Sequence, residues 1–295
     1  MNHILKINQL FKSFGRKKVL GNFNLNLEEG KVYGLLGNNG QGKTTLIRII
    51  MGIIPADRGE IFYKGKRFDY HNFDYKREIG YIPEAPFLYS GMRVKEALDF
   101  NAQFYPAWDR IKAKAYLKRF SLPENVRIRY LSKGMKLKLE LLVALAANPK
   151  LLILDDPTSG LDVQTRHDFL KDIIGELYER GTTILFSTHL VHELERIVEH
   201  LCILHNGKLI LDEDYQKVKT SIRKVNLTFD GKLPQIKING ILDQKVDLNK
   251  IELVIYPWTE KKKTQINKLS PRHMDITELS LEEIFVSFLP KGEEK

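Results

Sequence analysis

The chain has 295 residues, a formal net charge of +10, 43% hydrophobic residues and 28% charged residues. This composition is that of a folded globular protein, which excludes a disordered or fibrous chain, and the length accommodates one large domain and one small one. No segment approaches the roughly 20 consecutive apolar residues that cross a bilayer, and the first residues lack a signal-peptide pattern, so we expect a cytoplasmic chain. The basic balance suits nucleic acid or an anionic membrane, but an ordinary solvated surface explains it equally well.

The first half of the chain divides into three predicted regions. Residues 1 to about 30 read as short antiparallel strands around a turn at Gly15, and the apolar run VYGLL, a glycine-rich turn and TTLIRIIMG then predict a strand, a loop and a helix. Residues 85–147 have mostly helical periodicity interrupted by prolines, which predicts a helical insert.

Beyond the insert, strands and helices alternate, which predicts a parallel sheet with crossover helices. The strands are LLILD, TTILFS and LCIL, and helices are expected across VQTRHDFLKDIIGELYER and LVHELERIVEH. Past Tyr215 the pattern changes to short strand-like pieces and a last helix, SLEEIFVSFL. We therefore predict a domain of residues 1–215 and a small α+β domain of residues 216–295.

The glycine-rich turn fits the phosphate-binding P-loop pattern, in which two glycines enclose four residues and are followed by lysine and threonine. Backbone N–H groups of such a loop, and the start of the following helix, bind phosphate oxygens, while the lysine reaches the outer phosphates and the threonine hydroxyl serves Mg²⁺. The expected nucleotide contacts are Gly37, Asn38, Asn39, Gly40, Gln41, Gly42, Lys43, Thr44 and Thr45. The loop alone does not distinguish kinases, motors, GTPases and transporters.

Further motifs select among these classes. The strand LLIL ends at Asp155, the sequence LSKGM precedes it at the start of a long helix, and His189 follows the strand TTILFST. Their order across roughly the first 210 residues resembles that of the ABC ATPases. The resemblance implies a P-loop α/β fold with a mostly parallel sheet, an antiparallel N-terminal β subdomain and a helical insert, and it implies binding and hydrolysis of ATP with Mg²⁺.

The resemblance also assigns roles to individual residues. Asp155 matches the Walker B carboxylate that holds Mg²⁺ together with Thr44, and Glu84 matches the position of the glutamine that contacts Mg²⁺ and water. Asp156 stands where the family has a glutamate that orients or deprotonates the attacking water, and His189 is expected to contact the γ-phosphate. Because the side chain of Asp156 is one methylene shorter than glutamate, we expect slower hydrolysis.

The segment LSKGM resembles the family's signature sequence LSGGQ, which contacts the ATP bound to an opposite subunit. The residues implied in this contact are Ser132, Lys133 and Gly134. One such chain does not complete an ATP site, so we expect a two-fold dimer with an identical or a related ATPase. Lys133 and Met135 depart from the family pattern, and the sequence leaves open whether Lys133 adds positive charge near phosphate or crowds it.

Phe14 occupies the place of the aromatic residue that stacks on adenine in the family, although an ordinary core phenylalanine remains the alternative. The helical insert corresponds to the region that receives a membrane subunit in relatives. Its aromatic residues are expected mostly to fill the insert's own core and, in one or two cases, to line that contact: Phe87, Tyr89, Phe104, Tyr105 and Trp108.

The combination of LSKGM, YIPEAP, FYPAWD and TELSLEEIFVSF resembles bacterial exporters of antibiotics, peptides or lipid-linked compounds whose ATPase is a separate chain. This resemblance implies a peripheral ATPase at the cytoplasmic face of the membrane, bound to an integral membrane subunit on another chain, with no nucleic-acid partner. The alternatives are a soluble ABC ATPase that acts on ribosomes or nucleic acid, and a regulatory ATPase that senses a drug.

Overall fold

The computed structural model describes residues 3–69, 74–159, 161–167, 169–170 and 180–290. Strands β1 (His3–Phe14) and β2 (Lys17–Glu28) form an antiparallel pair around Gly15, whose φ of 57° is a left-handed conformation that glycine adopts readily. Two short strands, β4 (Arg58–Tyr63) and β5 (Lys66–Arg67), complete a sheet of order β2-β1-β4-β5. The predicted antiparallel N-terminal region is confirmed.

The central sheet has six strands in the order β10-β9-β3-β8-β7-β6, with all neighbours parallel except β10 and β9. Its members are β3 (Val32–Leu36), β6 (Ile79–Ile82), β7 (Leu151–Asp155), β8 (Thr183–Thr188), β9 (His200–His205) and β10 (Lys208–Asp214). Every residue of β3, β7 and β8 is buried, as expected for central strands covered on both faces. Because these three strands are parallel neighbours, their carboxyl ends meet at one edge.

Helix α1 (Lys43–Ile50) follows β3 directly. The helical insert predicted for residues 85–147 is confirmed by α2 (Val94–Ala102), α3 (Arg110–Arg119) and α4 (Lys133–Ala146). A short 3₁₀ turn at Asp74–Glu78 precedes β6, and another at Ile128–Tyr130 precedes α4. Asp109 and Ser132 accept backbone N–H groups as N-caps of α3 and α4, which fixes where these helices begin.

The helix predicted across residues 190–200 is wrong. A 3₁₀ turn at Val191–Glu193 is followed by further turns and then by β9. The buried side chains of Leu194 and Val198 keep a helical spacing, but they press so closely against Gly34 that a Cβ there would lie 2.8 and 2.9 Å from their methyl groups. This close approach accounts for a tightened turn in place of an α-helix. In the predicted helix VQTRHDFLKDIIGELYER, residues 163–167 and 169–170 are helical, and most of the remainder lies outside the described residues.

The C-terminal region contains an antiparallel sheet of order β12-β13-β11-β14 with its own apolar core. Its strands are β11 (Arg223–Thr228), β12 (Ile241–Asp247), β13 (Lys250–Ile255) and β14 (His273–Thr277), and its helices are Tyr215–Ser221, Glu260–Asn267 and Leu281–Phe288. The last helix packs into the large apolar cluster that also contains Val191 and Leu194. The domain boundary near residue 215 stays a prediction. In the described part of the chain, no helix has the length and apolar character needed to span a membrane.

The contact between Gly34 and the turn that follows β8 can be tested by Gly34→Ala. We expect the free energy of unfolding to fall by about 1–3 kcal/mol, because the added methyl group overpacks a buried contact between β3 and two buried side chains. Urea unfolding of the full chain measures this change. Gly91→Ala is the control, since a Cβ at Gly91 meets no atom within 4 Å. A smaller loss for Gly34→Ala than for the control would contradict the packing argument.

Candidate nucleotide-binding site

The loop between β3 and α1 has the backbone conformation of a phosphate cradle. Gly40 and Gly42 have φ values of 79° and 108°, which side chains with a Cβ rarely adopt. A Cβ on Gly37 would also lie 2.7 Å from the carbonyl oxygen of Leu204. Glycine is therefore required at several points of the turn, and the N–H groups at the start of α1 are left to bind an anion.

Lys43 is the buried cation at the base of this loop. The residue is 6% exposed, and its Nζ donates to the carbonyl oxygens of Gly37 at 2.6 Å and Asn38 at 3.3 Å. Burial lowers the pKa of Lys43, whereas the nearby carboxyl groups of Asp156 and Asp155 oppose this shift. The ammonium group is therefore held inside the loop, where it can meet phosphate oxygens as a positive charge.

Asp155 presents an incompletely satisfied carboxyl group at the end of β7. Its Oδ1 accepts from Oγ1 of Thr44 at 3.2 Å, while the buried Oδ2 has no hydrogen-bond partner in the structure. Burial raises the pKa of Asp155 to about 6, and the negative charges of Asp156 and Glu84 act in the same direction. A hard cation that prefers oxygen ligands fits this pair of oxygen-bearing side chains and its unpartnered oxygen.

Asp156 and His189 form a pair across the ends of β7 and β8. Nδ1 of His189 lies 2.9 Å from Oδ1 and 3.0 Å from Oδ2 of Asp156, and Thr188 Oγ1 donates to Oδ1 at 3.2 Å. Asp156 adopts a left-handed φ of 47°, which is uncommon for a residue with a side chain. The contact engages Nδ1 of the half-buried histidine, so Nε2 is the ring nitrogen left for a ligand.

These groups meet in an open cleft of about 540 Å³. Its lining contains most of the residues predicted for nucleotide binding and catalysis: Phe14, Asn39, Gly40, Gly42, Lys43, Thr44, Thr45, Glu84, Asp156 and His189. Sequence reasoning missed three further lining residues, Lys17, Val19 and Ser159. The only signal for Lys17 and Val19 was a position in β2 shortly after Phe14, because the pairing of β2 with β1 is what carries them to the cleft.

Some predicted residues do not line the cleft. The backbone oxygens of Gly37 and Asn38 accept from Lys43, and Oε1 of Gln41 accepts the backbone N–H of Asn206. Asp155 lies beneath the lining, in contact with Thr44. The loop residues thus divide into those that face the cleft and those that hold the loop in shape.

The predicted signature residues lie outside this cleft. Ser132 caps α4, the signature helix, by accepting the N–H of Met135 at 3.2 Å. The Nζ of Lys133 donates to the carbonyl oxygen of Ser159 at 2.5 Å, and Ser159 itself lines the cleft. Within one chain, Lys133 therefore joins the signature helix to the segment that follows Asp156. Neither role anticipated for its side chain, charge near phosphate or crowding of phosphate, is visible within one chain.

Phe14 is exposed at the end of β1. Its side chain is 52% exposed, and Nζ of Lys12 lies 5.3 Å from the ring centroid. This exposure argues against the alternative of a core phenylalanine. An open aromatic face on the wall of the cleft can stack on a planar base, and the adjacent cation adds positive charge near that position.

Comparisons with known proteins agree with this geometry. Residues 20–159 match the family described as ABC transporter. The chain is 33% identical over 288 residues to the ABC transporter ATP-binding protein YtrB of Bacillus subtilis, covering 96% of this chain and 97% of the relative. It is 32% identical to the bacitracin transport ATP-binding protein BcrA of Bacillus licheniformis, covering 99% of both chains. A solved structure of an ATP-binding subunit of an ABC transporter superposes with a TM-score of 0.66 at 30% identity, covering 72% of this chain and 90% of that one.

The role of the buried ammonium group can be tested by Lys43→Met. We expect nucleotide affinity to fall at least about 100-fold, because a charge-assisted contact to phosphate is lost from a site shielded from water. Titration with a fluorescent ATP analogue measures the affinity. Lys31→Met is the control outside the cleft, and an affinity loss shared by both variants would contradict the assignment.

Proposed function

Since this chain belongs to the ABC transporter ATP-binding proteins, subunits that bind and hydrolyse ATP to power transport across a membrane, we propose that two such subunits form a dimer that drives an exporter. The observation that carries the proposal is the cleft itself, which joins a P-loop, Asp156 and a histidine, with Asp155 in contact with Thr44 beneath its lining, but contains none of Ser132, Lys133 and Gly134. A second subunit, identical or related, would supply those residues to each ATP. The location we propose is the cytoplasmic face of the membrane.

The nucleotide is held, in this proposal, by the glycine-rich loop, by Lys43 on the phosphates and by Phe14 on the adenine. Thr44, Asp155 and Glu84 would hold Mg²⁺, because Thr44 and Asp155 offer oxygen ligands in contact with each other and Glu84 lines the same cleft. When bound, the ion neutralises phosphate charge that develops during the reaction. Occupation by a cation would also favour the charged form of Asp155, whose pKa is raised in the protein alone.

Asp156 and His189 are the proposed catalytic pair. A water molecule that attacks the γ-phosphate must lose a proton, and the Asp156 carboxylate is the base at the end of β7 that faces the cleft. Nδ1 of His189 holds this carboxylate in place, and Nε2 is left to contact the phosphate. Both oxygens of the Asp156 carboxylate therefore already contact His189 at the end of β8. This arrangement and the short side chain together support slow hydrolysis by the isolated subunit.

The transported compound is proposed to be a peptide antibiotic or a similar lipid-like compound, and the direction to be export. The support is similarity over the full length to BcrA, whose name specifies bacitracin transport. This alignment includes residues 216–295, which we propose as an accessory domain beside the ATPase domain of residues 1–215. The relatives' names favour a transporter subunit over an ATPase that acts on ribosomes or on nucleic acid.

An aromatic surface on the helical insert supports a membrane partner. The expectation that the insert's aromatic residues mostly fill its core is wrong for Phe87, Tyr89 and Phe104, which are 67%, 62% and 55% exposed. Phe100 contacts the rings of Tyr89 and Phe104 edge-on at 5.6 and 5.0 Å, so these three rings are contiguous. We name Phe87, Tyr89, Phe100 and Phe104 the aromatic surface. It begins three residues after Glu84, and this proximity along the chain supports a docking area for an integral membrane subunit beside the ATP cleft.

The short reach of Asp156 predicts the effect of two substitutions. Asp156→Glu is expected to raise kcat at saturating ATP by about tenfold, because the longer carboxylate approaches the attacking water. Asp156→Asn removes the base and is expected to lower kcat at least about 100-fold while ATP affinity is retained. Phosphate release at saturating ATP and Mg²⁺ measures both effects. Turnover of Asp156→Glu at or below the wild-type level would refute the reach argument.

The aromatic surface predicts a defect in assembly that leaves nucleotide binding intact. In the double variant Phe87→Ala, Tyr89→Ala, we expect recovery of an integral membrane protein after gentle solubilisation and affinity purification to fall at least about tenfold, because exposed aromatic anchors carry much of an interface's binding energy. Quantitative mass spectrometry measures the recovery. Val286→Ala, at another exposed apolar position, is the control. If the wild-type chain recovers no polytopic protein, the transporter assignment itself is contradicted.

A further inference from the structure

Glu140 is a buried carboxyl group that the ATP cleft does not use. Three acidic residues are buried in the described part of the chain, and Asp155 and Asp156 belong to the nucleotide site. Glu140 is 7% exposed and lies in α4 between Leu139 and Leu141, which are fully buried. Burial raises the pKa of Glu140 to about 7. An acidic group among leucines is costly, so its presence calls for a contact that an apolar side chain does not make.

That contact is a hydrogen bond to a segment without regular secondary structure. Oε1 of Glu140 accepts the backbone N–H of Phe87 at 2.9 Å. Phe87 lies in residues 83–89, which follow β6 and form neither helix nor strand. The segment contains Glu84 in the wall of the ATP cleft and two residues of the aromatic surface. We call residues 83–89 the Glu84 segment.

Side chains anchor this segment at Pro83, which is buried directly after β6, and give the residues that follow it little anchorage of their own. Glu84, Ala85 and Pro86 are exposed, and the rings of Phe87 and Tyr89 are more than half exposed. Leu88 alone among residues 84–89 is partly buried against the large apolar cluster. A backbone hydrogen bond to a buried side chain on a regular helix is therefore a substantial constraint on where the segment lies.

We propose that Glu140 is a positioning residue that fastens the Glu84 segment to the signature helix, so that Glu84 and the aromatic surface move with α4. The inference rests on the roles proposed above for Glu84, the aromatic surface and the signature helix. It identifies a physical link between the membrane-subunit docking area and the element that contacts the opposite ATP. A force on the aromatic surface then reaches α4 through the Phe87 amide, and a displacement of α4 moves Glu84 within its own cleft.

The two carboxyl oxygens of Glu140 differ in their contacts, and this difference suggests a pair of variants that separates the loss of the hydrogen-bond acceptor from the loss of the charge. Oε1 carries the hydrogen bond, while Oε2 is buried and has no hydrogen-bond partner among the described residues. Glutamine retains a carbonyl acceptor at nearly the same volume and carries no charge. Leucine has a similar size and suits the apolar surroundings, so Glu140→Leu should fold although the acceptor is removed. Lys138→Leu, on the same helix, is the control for adding an apolar side chain.

The direct test is hydrogen–deuterium exchange of the full-length chain, with fragmentation that resolves the Phe87 amide. We expect the exchange rate of this amide to rise about tenfold in Glu140→Leu and to stay within about twofold of wild type in Glu140→Gln and Lys138→Leu. Unchanged exchange at Phe87 in Glu140→Leu would overturn the proposal. An equal increase in the glutamine variant would overturn it too, because the acceptor would then not be the relevant feature.

Steady-state ATP hydrolysis gives the second readout. Glu140→Leu should lower kcat about five- to tenfold with little change in the KM for ATP, because Glu84 is misplaced while the P-loop is intact, and Glu140→Gln should restore kcat. Wild-type kcat in Glu140→Leu would show that the contact does not position Glu84. The exchange experiment does not depend on turnover. Failure of the proposed function, seen as unaltered turnover in Asp156→Asn, is therefore distinguishable from failure of this inference.

Discussion

The balance of buried charge at the carboxyl ends of β3, β7 and β8 is the constraint on which the site depends. Lys43 contributes an ammonium group near these strand ends, and Asp155 and Asp156 contribute two carboxyl groups. All three residues are almost fully buried. Burial lowers the pKa of the lysine and raises that of Asp155, so each charge is costly alone. A polyanionic nucleotide, together with the divalent cation proposed above, would complete this set. The same desolvation that destabilises the empty site strengthens its contacts with the ligands.

Hydrogen bonds to backbone groups and side-chain packing hold these charged residues in position. The P-loop closes through hydrogen bonds from Lys43 to carbonyl groups of the loop, so the residue proposed to contact phosphate also shapes the loop. Residues after β8 are held against Gly34 by Leu194 and Val198, which fixes the chain directly beyond His189. The C-terminal helix Leu281–Phe288 packs into the same apolar cluster. Packing far from the cleft therefore contributes to the position of its histidine.

The signature helix connects several parts of the site within one chain. Lys133 at its start reaches the carbonyl group of Ser159, and Glu140, two turns later, holds the N–H group of Phe87. One contact leads to the segment after Asp156, the proposed catalytic residue, and the other to the segment that carries Glu84. A rigid helix with two such attachments transmits displacement between them. The departure from glycine at Lys133 thus has a structural consequence within the subunit.

The sequence by itself determined the P-loop, the strand that ends in two aspartates, the insert helices and the family, because each depends on local spacing or on a short motif. It failed at residues 190–200, where periodicity was correct but close packing on Gly34 tightened the backbone into turns. Its expectation that the insert's aromatic rings mostly fill the core was wrong for Phe87, Tyr89 and Phe104. The place of Lys17 in the cleft and the contacts of Lys133 and Glu140 depended on residues distant in sequence. Only the tertiary structure decided these features, since burial and long-range hydrogen bonds arise when separate segments are brought together.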